Sequence, residues 1–286
     1  LPHGVKDIDA DIKASASPHL LNAEYSREHA RYLREQERKN RPSPHVFSGR
    51  DIRQGVRGVL VDWIVEVCDQ FRMSSRALFQ VVELMDRALS AMEVPRGRLQ
   101  LLGCACIILA AKFEEIYAPT AEELAHISDN TYTRAEIICM ELEVTQALRF
   151  RLFCVTPVCF VDRFCRAAGS GARERSLVSY LLELLLQDHQ AVQLLPSCKA
   201  AAALYLARQT LHPSGGAGKG RAWTRQTEHY TGYSPGELEV CVRRLHALHL
   251  RAEGHHLKAV RDKYSRACHH SAANVTCALD QVLEFG

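Results

Sequence analysis

The chain has 286 residues, of which 47% are hydrophobic and 24% charged, a composition that fits a soluble globular protein. Its net charge of +3 is too small to indicate nucleic-acid binding by itself, and it contains no apolar run long enough to cross a membrane. The eleven cysteines are scattered singly, so we expect reduced thiols in an intracellular protein. Because the chain begins with Leu1 and Pro2 rather than Met, we expect an N-terminal segment to be missing.

Helical periodicity dominates the sequence, whereas strand alternation and hairpin turns are weak. We expect residues 1–20 to form a loose arm. A charged helix is predicted over residues 24–40, ended by the prolines that follow. The other predicted helices of the first half cover residues 51–73, 76–92, 99–117, 120–127 and 133–148.

The helix predicted over Leu99–Tyr117 has no polar face between Leu101 and Ala111. A helix that is apolar all round belongs at the centre of a helical domain. Its end changes abruptly to Lys112 and Glu114. Carboxylates there oppose the helix dipole, so this charged rim either serves an external partner or is an ordinary solvated helix end.

The second half repeats the pattern, with predicted helices over residues 156–168, 174–187 and 197–210. A motif around Tyr233 echoes the one around Tyr132 about 100 residues earlier, so we infer two copies of a five-helix domain. A flexible loop is expected at residues 212–218, and a basic helical tail around residues 257–266. The predicted divisions are an N-terminal arm and helix at 1–44, the two repeats at 45–152 and 153–252, and a tail at 253–286.

Catalytic signatures are missing: no phosphate-binding loop, activated nucleophile or metal-ligand spacing is found, so no cofactor or metal is expected. The basic stripe of the tail is more typical of a solvated face than of a phosphate track. The sharper signal is a set of charges beside apolar helical stretches, because half-buried charges are costly unless paired. Arg57, Asp86, Lys112 and Glu141 could pair internally or grip the backbone of a partner, and periodicity leaves that choice open.

Several motifs resemble one family. Residues 56–67, VRGVLVDWIVEV, are similar to the opening of the cyclin box, and residues 111–117, AKFEEIY, also match a cyclin motif. The resemblance to mitotic A/B-type cyclins covers about residues 24–270 and includes both repeats. The residues around Tyr25, the Trp223–Tyr233 segment and the Lys258–Tyr264 tail favour the B-type branch.

The resemblance implies an all-α fold of two tandem five-helix cyclin boxes with an N-terminal helix and a short C-terminal helical tail. It implies that Arg57 and Asp86 form a structural ion pair, whereas Lys112 and Glu141 bind the backbone of the αC helix of a kinase. Glu114 would face arginines near the kinase activation loop. The remaining kinase contacts implied are Phe113, Ile116 and Phe150, with a second contact through Tyr25, His29 and Tyr32. His29 and Thr145 stand where family members usually carry apolar residues, so these contacts are expected to be weaker or different.

The resemblance also implies a groove that docks Arg-x-Leu peptides of substrates or inhibitors. The matching residues are Val56, Leu60, Trp63, Glu66 and Gln100. Val56 and Gly58 replace the usual Met and Ala, which is expected to make the groove shallower or reshaped. The alternative is that Leu60 and Trp63 are only core residues.

The implied function is that of a non-enzymatic regulatory subunit, which forms a heterodimer with a cyclin-dependent serine/threonine kinase, activates it and recruits substrates in G2/M or mitotic progression. Location in nucleus and cytoplasm is expected, with no membrane partner. The alternative is a transcription factor of the same fold that binds DNA or the transcription machinery, which the low net charge disfavours. An α-helical enzyme is disfavoured because no catalytic constellation emerges.

Overall fold

In the computed structural model, the described residues are 1–13, 25–39, 42, 54–212 and 223–276, and these contain helices but no strand. The predicted all-α fold with two tandem helical repeats is confirmed. The helices are α1 (Ile8–Lys13), α2 (Ser26–Lys39), α3 (Gln54–Gln70), α4 (Ser75–Ala91), α5 (Leu99–Glu114), α6 (Ala121–Ile127), α7 (Arg134–Ala147), α8 (Val158–Ala168), α9 (Ala172–Leu186), α10 (Pro196–Leu211), α11 (Arg225–Thr231), α12 (Pro235–Arg251) and α13 (Ala259–Ser265). Most of the predicted loop at 212–218 lies outside the described residues.

The first repeat, α3 to α7, is built around α5. Every residue of α5 from Leu101 to Ala111 is buried, and the helix contacts α3, α4, α6 and α7. It ends at Glu114 rather than at Tyr117 because Glu115 adopts an extended backbone. The Glu115 carboxylate then accepts a hydrogen bond from the backbone N–H of Ser74, at 2.7 Å. This contact fastens the charged end of α5 to the start of α4.

The second repeat, α8 to α12, surrounds α10 in the same way. Residues 200–207 of α10 are buried, and the helix contacts α8, α9 and α12. The buried Trp223 packs edge to face on Tyr205, with ring centroids 5.5 Å apart. Helix α2 also contacts α10, where the buried Glu37 carboxylate accepts hydrogen bonds of 2.8 Å from the backbone N–H and the hydroxyl of Ser197. A carboxylate at that end of α10 is favoured by the helix dipole.

The expectation of a loose arm is wrong for the residues around α1, and residues 14–20 lie outside the described part. The side chain of Ile8 is buried, and its backbone N–H donates to the Tyr230 hydroxyl at 3.1 Å. The buried Asp9 carboxylate accepts two hydrogen bonds from Arg163 of α8, at 2.6 and 3.1 Å. Because its partners lie in the second repeat, no local pattern could predict this docking.

The tail is also more than a solvated basic face. Helix α13 packs on α3 and α9, and Tyr264 is buried. Lys263 donates two hydrogen bonds to the fully buried carboxylate of Glu183, at 2.8 and 2.9 Å, and Arg266 pairs with Asp69 at 2.7 Å. These basic side chains therefore join the tail to both repeats.

Candidate functional site

Lys112 and Glu141 meet on one face of the first repeat. The Lys112 Nζ atom lies 2.6 Å from Glu141 Oε1, and the two side chains are 57% and 17% exposed. Lys112 occupies the last turn of α5, where a cation is favoured by the dipole, and Glu141 projects from the middle of α7. A pair this exposed contributes at most about 1 kcal/mol, so either head can be drawn to a partner at little cost.

Exposed apolar side chains follow each member of this pair within nine residues along the chain. Phe113 is 51% exposed, Ile116 92% and Phe150 73%. Aromatic and aliphatic side chains left in water near a charge pair are typical of a protein-binding surface. Tyr117 and Leu142 are also exposed, although the sequence motifs did not single them out. We use the term rim surface for Lys112, Phe113, Ile116, Tyr117, Glu141, Leu142 and Phe150.

A turn after α7 holds Phe150 at the surface. Arg149 and Phe150 have φ angles of 51° and 58°, in the left-handed region that non-glycine residues seldom adopt. The backbone N–H of Phe150 donates to the Thr145 carbonyl at 2.9 Å, and the Thr145 hydroxyl donates to the Glu141 carbonyl at 2.8 Å. The backbone carbonyl of Thr145 thus holds the turn that presents Phe150, while its hydroxyl is bonded back to the backbone of α7.

Glu114 lies beside the rim surface, whereas the predicted contact residues at α2 lie away from it. Glu114 is half-buried, and burial raises the pKa of its carboxyl while the nearby Arg76 acts in the opposite direction.

Tyr25, His29 and Tyr32 form one exposed stripe beginning just before α2. Because α2 packs on α10 of the second repeat, this stripe lies on a different element from the rim surface. It is available to extend an interface that begins at the rim surface.

The residues of the predicted docking groove lie mainly along α3. Leu60 is buried, Val56, Trp63 and Gln100 are half-buried, and Glu66 is exposed. Gly103 of α5 lies under two of them, because a Cβ atom there would be 3.1 Å from the Trp63 ring and 3.3 Å from Leu60 Cδ1. Burial raises the pKa of Glu66, and the carboxylates of Asp62 and Asp262 raise it further.

Val59 is a further apolar residue of α3 that is absent from the predicted groove, although its spacing from Val56 and Trp63 places it on their stripe. It is 54% exposed. Gly58 does not belong to this groove: a Cβ atom there would lie 3.1 Å from Leu257 Cδ1 and 3.6 Å from the Gln187 carbonyl. The expected effect of Gly58 on the groove is therefore wrong, since this glycine instead permits close packing against α9 and the tail.

Arg57 and Asp86 form a buried ion pair between α3 and α4. The Arg57 Nε and Nη2 atoms donate to the two Asp86 oxygens at 2.8 and 2.7 Å, and the side chains are 2% and 4% exposed. The Arg57 Nη1 atom donates to the Leu186 carbonyl of α9 at 2.7 Å. This geometry joins three helices across the two repeats and leaves no surface for a partner to grip.

The described residues contain no group of three or more histidine, cysteine or acidic side chains that could hold a metal ion, and none of their helices is both long and apolar enough to span a membrane. The ten described cysteines are free thiols. Burial raises the pKa of Cys68 and Cys104 to about 12, so these thiols are not activated nucleophiles.

Comparison with known proteins gives a consistent match. A family model for the cyclin N-terminal domain matches residues 28–153, and one for the cyclin C-terminal domain matches residues 155–278. The chain is 39% identical to Cyclin-A2-3 of Arabidopsis thaliana, over 94% of this chain and 60% of that protein, and 37% identical to Putative cyclin-A3-1 of the same plant, over 92% and 74%. It is also 37% identical to Cyclin-A1-1 of Oryza sativa subsp. japonica, over 89% and 50%. A solved viral cyclin of herpesvirus saimiri shares the fold with a TM-score of 0.68 at 19% identity, over 77% of this chain and 95% of that one.

Proposed function

The chain belongs to the cyclin family, and we propose that it binds a cyclin-dependent serine/threonine kinase through the rim surface and stabilises the active kinase. The observation that carries this proposal is the exposed Lys112–Glu141 pair beside side chains such as Phe113 and Phe150. The relatives carry A-type names, so the comparisons do not support the expected preference for the B-type branch, and we assign the chain to the A-type group.

Activation follows from a population shift and requires no catalytic residue of the cyclin. A kinase αC helix in its inward position exposes backbone groups to Lys112 and Glu141, and apolar side chains to Phe113 and Phe150. Contacts available only in that position favour the state in which the catalytic Lys–Glu pair of the kinase forms. The stripe of α2 would supply a second contact on the same kinase.

A second part of the proposal concerns substrates and location. Helix α3 presents accessible apolar side chains at Val56, Val59 and Trp63 and a carboxylate at Glu66. The apolar side chains suit the leucine of an Arg-x-Leu peptide, and the carboxylate suits its arginine. We propose that substrates and inhibitors dock there, and that the complex acts in the nucleus and cytoplasm during G2/M or mitosis.

The test is co-purification with a monomeric cyclin-dependent kinase, followed by histone phosphorylation. Lys112→Ala and Glu141→Ala are expected to lower activation at least about tenfold, because each removes charge-assisted hydrogen bonds to the kinase. Arg98→Ala and Glu143→Ala are matched controls, since they break an exposed pair of 3.2 Å between the residue before α5 and a residue of α7. These controls are expected to activate like the unaltered chain.

Equal activation by all four variants would overturn the assignment of the rim surface. Failure of the unaltered chain to bind any kinase of this class, together with salt-sensitive binding to duplex DNA, would favour the transcription-factor alternative.

A further inference from the structure

A groove with five arginines lies between α2, the N-terminal arm and the second repeat. Its volume is about 560 Å³. Four of the arginines recur along one face of α2 at the helical spacing, and the fifth comes from α8. We use the term arginine groove for the site formed by Arg27, Arg31, Arg34, Arg38 and Arg163.

The floor of the arginine groove is apolar and holds its central guanidinium in place. Arg34 lies over the ring of the buried Phe160, 5.6 Å from its centroid, and donates to the Ser197 hydroxyl at 2.7 Å and to the Tyr233 hydroxyl at 3.1 Å. It also donates to the backbone carbonyl of Thr231. A guanidinium fixed in this way loses little conformational entropy when it binds a ligand.

Among the described residues, two of these five arginines have no carboxylate partner. Asp9, which lines the groove, accepts hydrogen bonds from Arg27 at 3.0 Å and from Arg163 at 2.6 Å. Arg27 also pairs with Asp7, and Arg34 lies 3.6 Å from the Glu37 carboxylate. Arg31 and Arg38 are exposed and have no ion-pair or hydrogen-bond partner among the described residues. Like charges three and four residues apart destabilise a helix, so an anion bound along this face would relieve repulsion within α2.

We propose that the arginine groove binds a phosphorylated serine or threonine of a partner protein, with Arg31 and Arg38 as the principal contacts beside the fixed Arg34. Forked guanidinium groups match phosphate oxygens in pairs, and Asp9 already provides an internal example of an oxyanion bound here. The choice of phosphate rests on the proposed function, because a partner kinase generates phosphoserine and phosphothreonine on the proteins that this chain brings to it.

The position of the groove allows it to work while the kinase is bound. The exposed stripe of Tyr25, His29 and Tyr32 and the arginine stripe lie on opposite flanks of the face that buries Leu33. A phosphorylated protein held at one flank of α2 can therefore stay bound while the other flank contacts the kinase. Such a protein would be retained near the active site for further phosphorylation.

The experiment measures fluorescence anisotropy of the full chain with a labelled nine-residue peptide of glycine, alanine and serine that carries one central phosphothreonine. The same peptide with threonine is the comparison. The Arg31→Ala/Arg38→Ala variant is expected to bind the phosphopeptide at least tenfold more weakly, and inorganic phosphate is expected to compete. The matched control is Arg96→Ala/Arg173→Ala, which removes the same charge from exposed positions outside the groove.

Thermal unfolding verifies that both double variants fold. Equal binding of the two peptides, or equal weakening by both double variants, would overturn the proposal. Binding of duplex DNA but not of the phosphopeptide would also overturn it and would make the groove a nucleic-acid site. Kinase activation by the unaltered chain is assayed separately. If the chain activates the kinase but does not bind the phosphopeptide, this inference alone is rejected. If the chain does not activate the kinase, the proposed function is rejected.

Discussion

The Arg57–Asp86 pair provides a quantitative test of what holds the two repeats together. Arg57→Met keeps the aliphatic length of the side chain but removes the guanidinium that donates to both Asp86 oxygens and to the Leu186 carbonyl. The Asp86 side chain is 4% exposed and would then be a buried charge without its guanidinium partner.

The magnitude follows from these contacts. Removing one partner of a buried ion pair costs about 3–5 kcal/mol, and the lost hydrogen bond to the Leu186 carbonyl adds about 1 kcal/mol. A total of about 4–6 kcal/mol is a large part of the roughly 5–15 kcal/mol that stabilises a typical domain. We therefore expect Arg57→Met to unfold at a much lower urea concentration. Arg57→Met/Asp86→Leu is expected to recover most of the loss, because the buried charge is gone.

The assay is urea unfolding followed by circular dichroism and by tryptophan fluorescence. The tryptophans, Trp63 and Trp223, lie in different repeats, so variants that keep one of them report on each repeat separately. Arg57→Met is expected to separate the two transitions, since Arg57 joins α3 to α9. A loss below about 1 kcal/mol, or no recovery in the double variant, would refute the reasoning. A folded Arg57→Met chain that no longer binds the kinase would show instead that Arg57 serves the partner.

Three further outcomes are expected. Gly103→Ala places a methyl group 3.1 Å from the Trp63 ring, so overpacking should destabilise the fold by about 1 kcal/mol and shift the tryptophan fluorescence. The control Gly55→Ala, which has no atom within 4 Å of its Cβ, should have neither effect. An unshifted spectrum for Gly103→Ala would contradict that packing. Asp9→Asn should increase hydrogen exchange at the backbone amides around α1. Because the pKa of the Asp9 carboxyl is lowered from 3.8 to about 2 in the folded chain, its contribution to stability is complete above about pH 4 and is lost as the pH falls towards 2. If Asp9→Asn leaves the protection of these amides unchanged, the ion pairs of Asp9 do not hold the arm. Val59→Asp, at an exposed position, should weaken the binding of an Arg-x-Leu peptide at least tenfold in a titration while leaving kinase activation intact. If the variant binds the peptide as tightly as the unaltered chain does, docking takes place elsewhere.

Local chemistry determined the helices. The apolar run of α5 has no polar face, so its burial at the centre of the first repeat follows from composition alone. Thr133 and Glu136 form a capping box at the start of the helix predicted over residues 133–148, with reciprocal hydrogen bonds of 2.8 and 3.3 Å. The second repeat was also predicted from local patterns, because the predicted helices recur and the motif around Tyr233 echoes the one around Tyr132.

The contacts between distant residues were decided by the tertiary structure. Asp9 and Arg163 are far apart in the chain, and Gly58 meets Leu257 of the tail, so neither pair leaves a trace in helical periodicity. The same limit applied to the charges beside the apolar helices, because helical periodicity placed Arg57 and Lys112 in equivalent settings and only the family resemblance implied different roles. Burial then separated their roles, because the protein interior admits a charge only with its partner, whereas a charge at the surface remains free to exchange one partner for another.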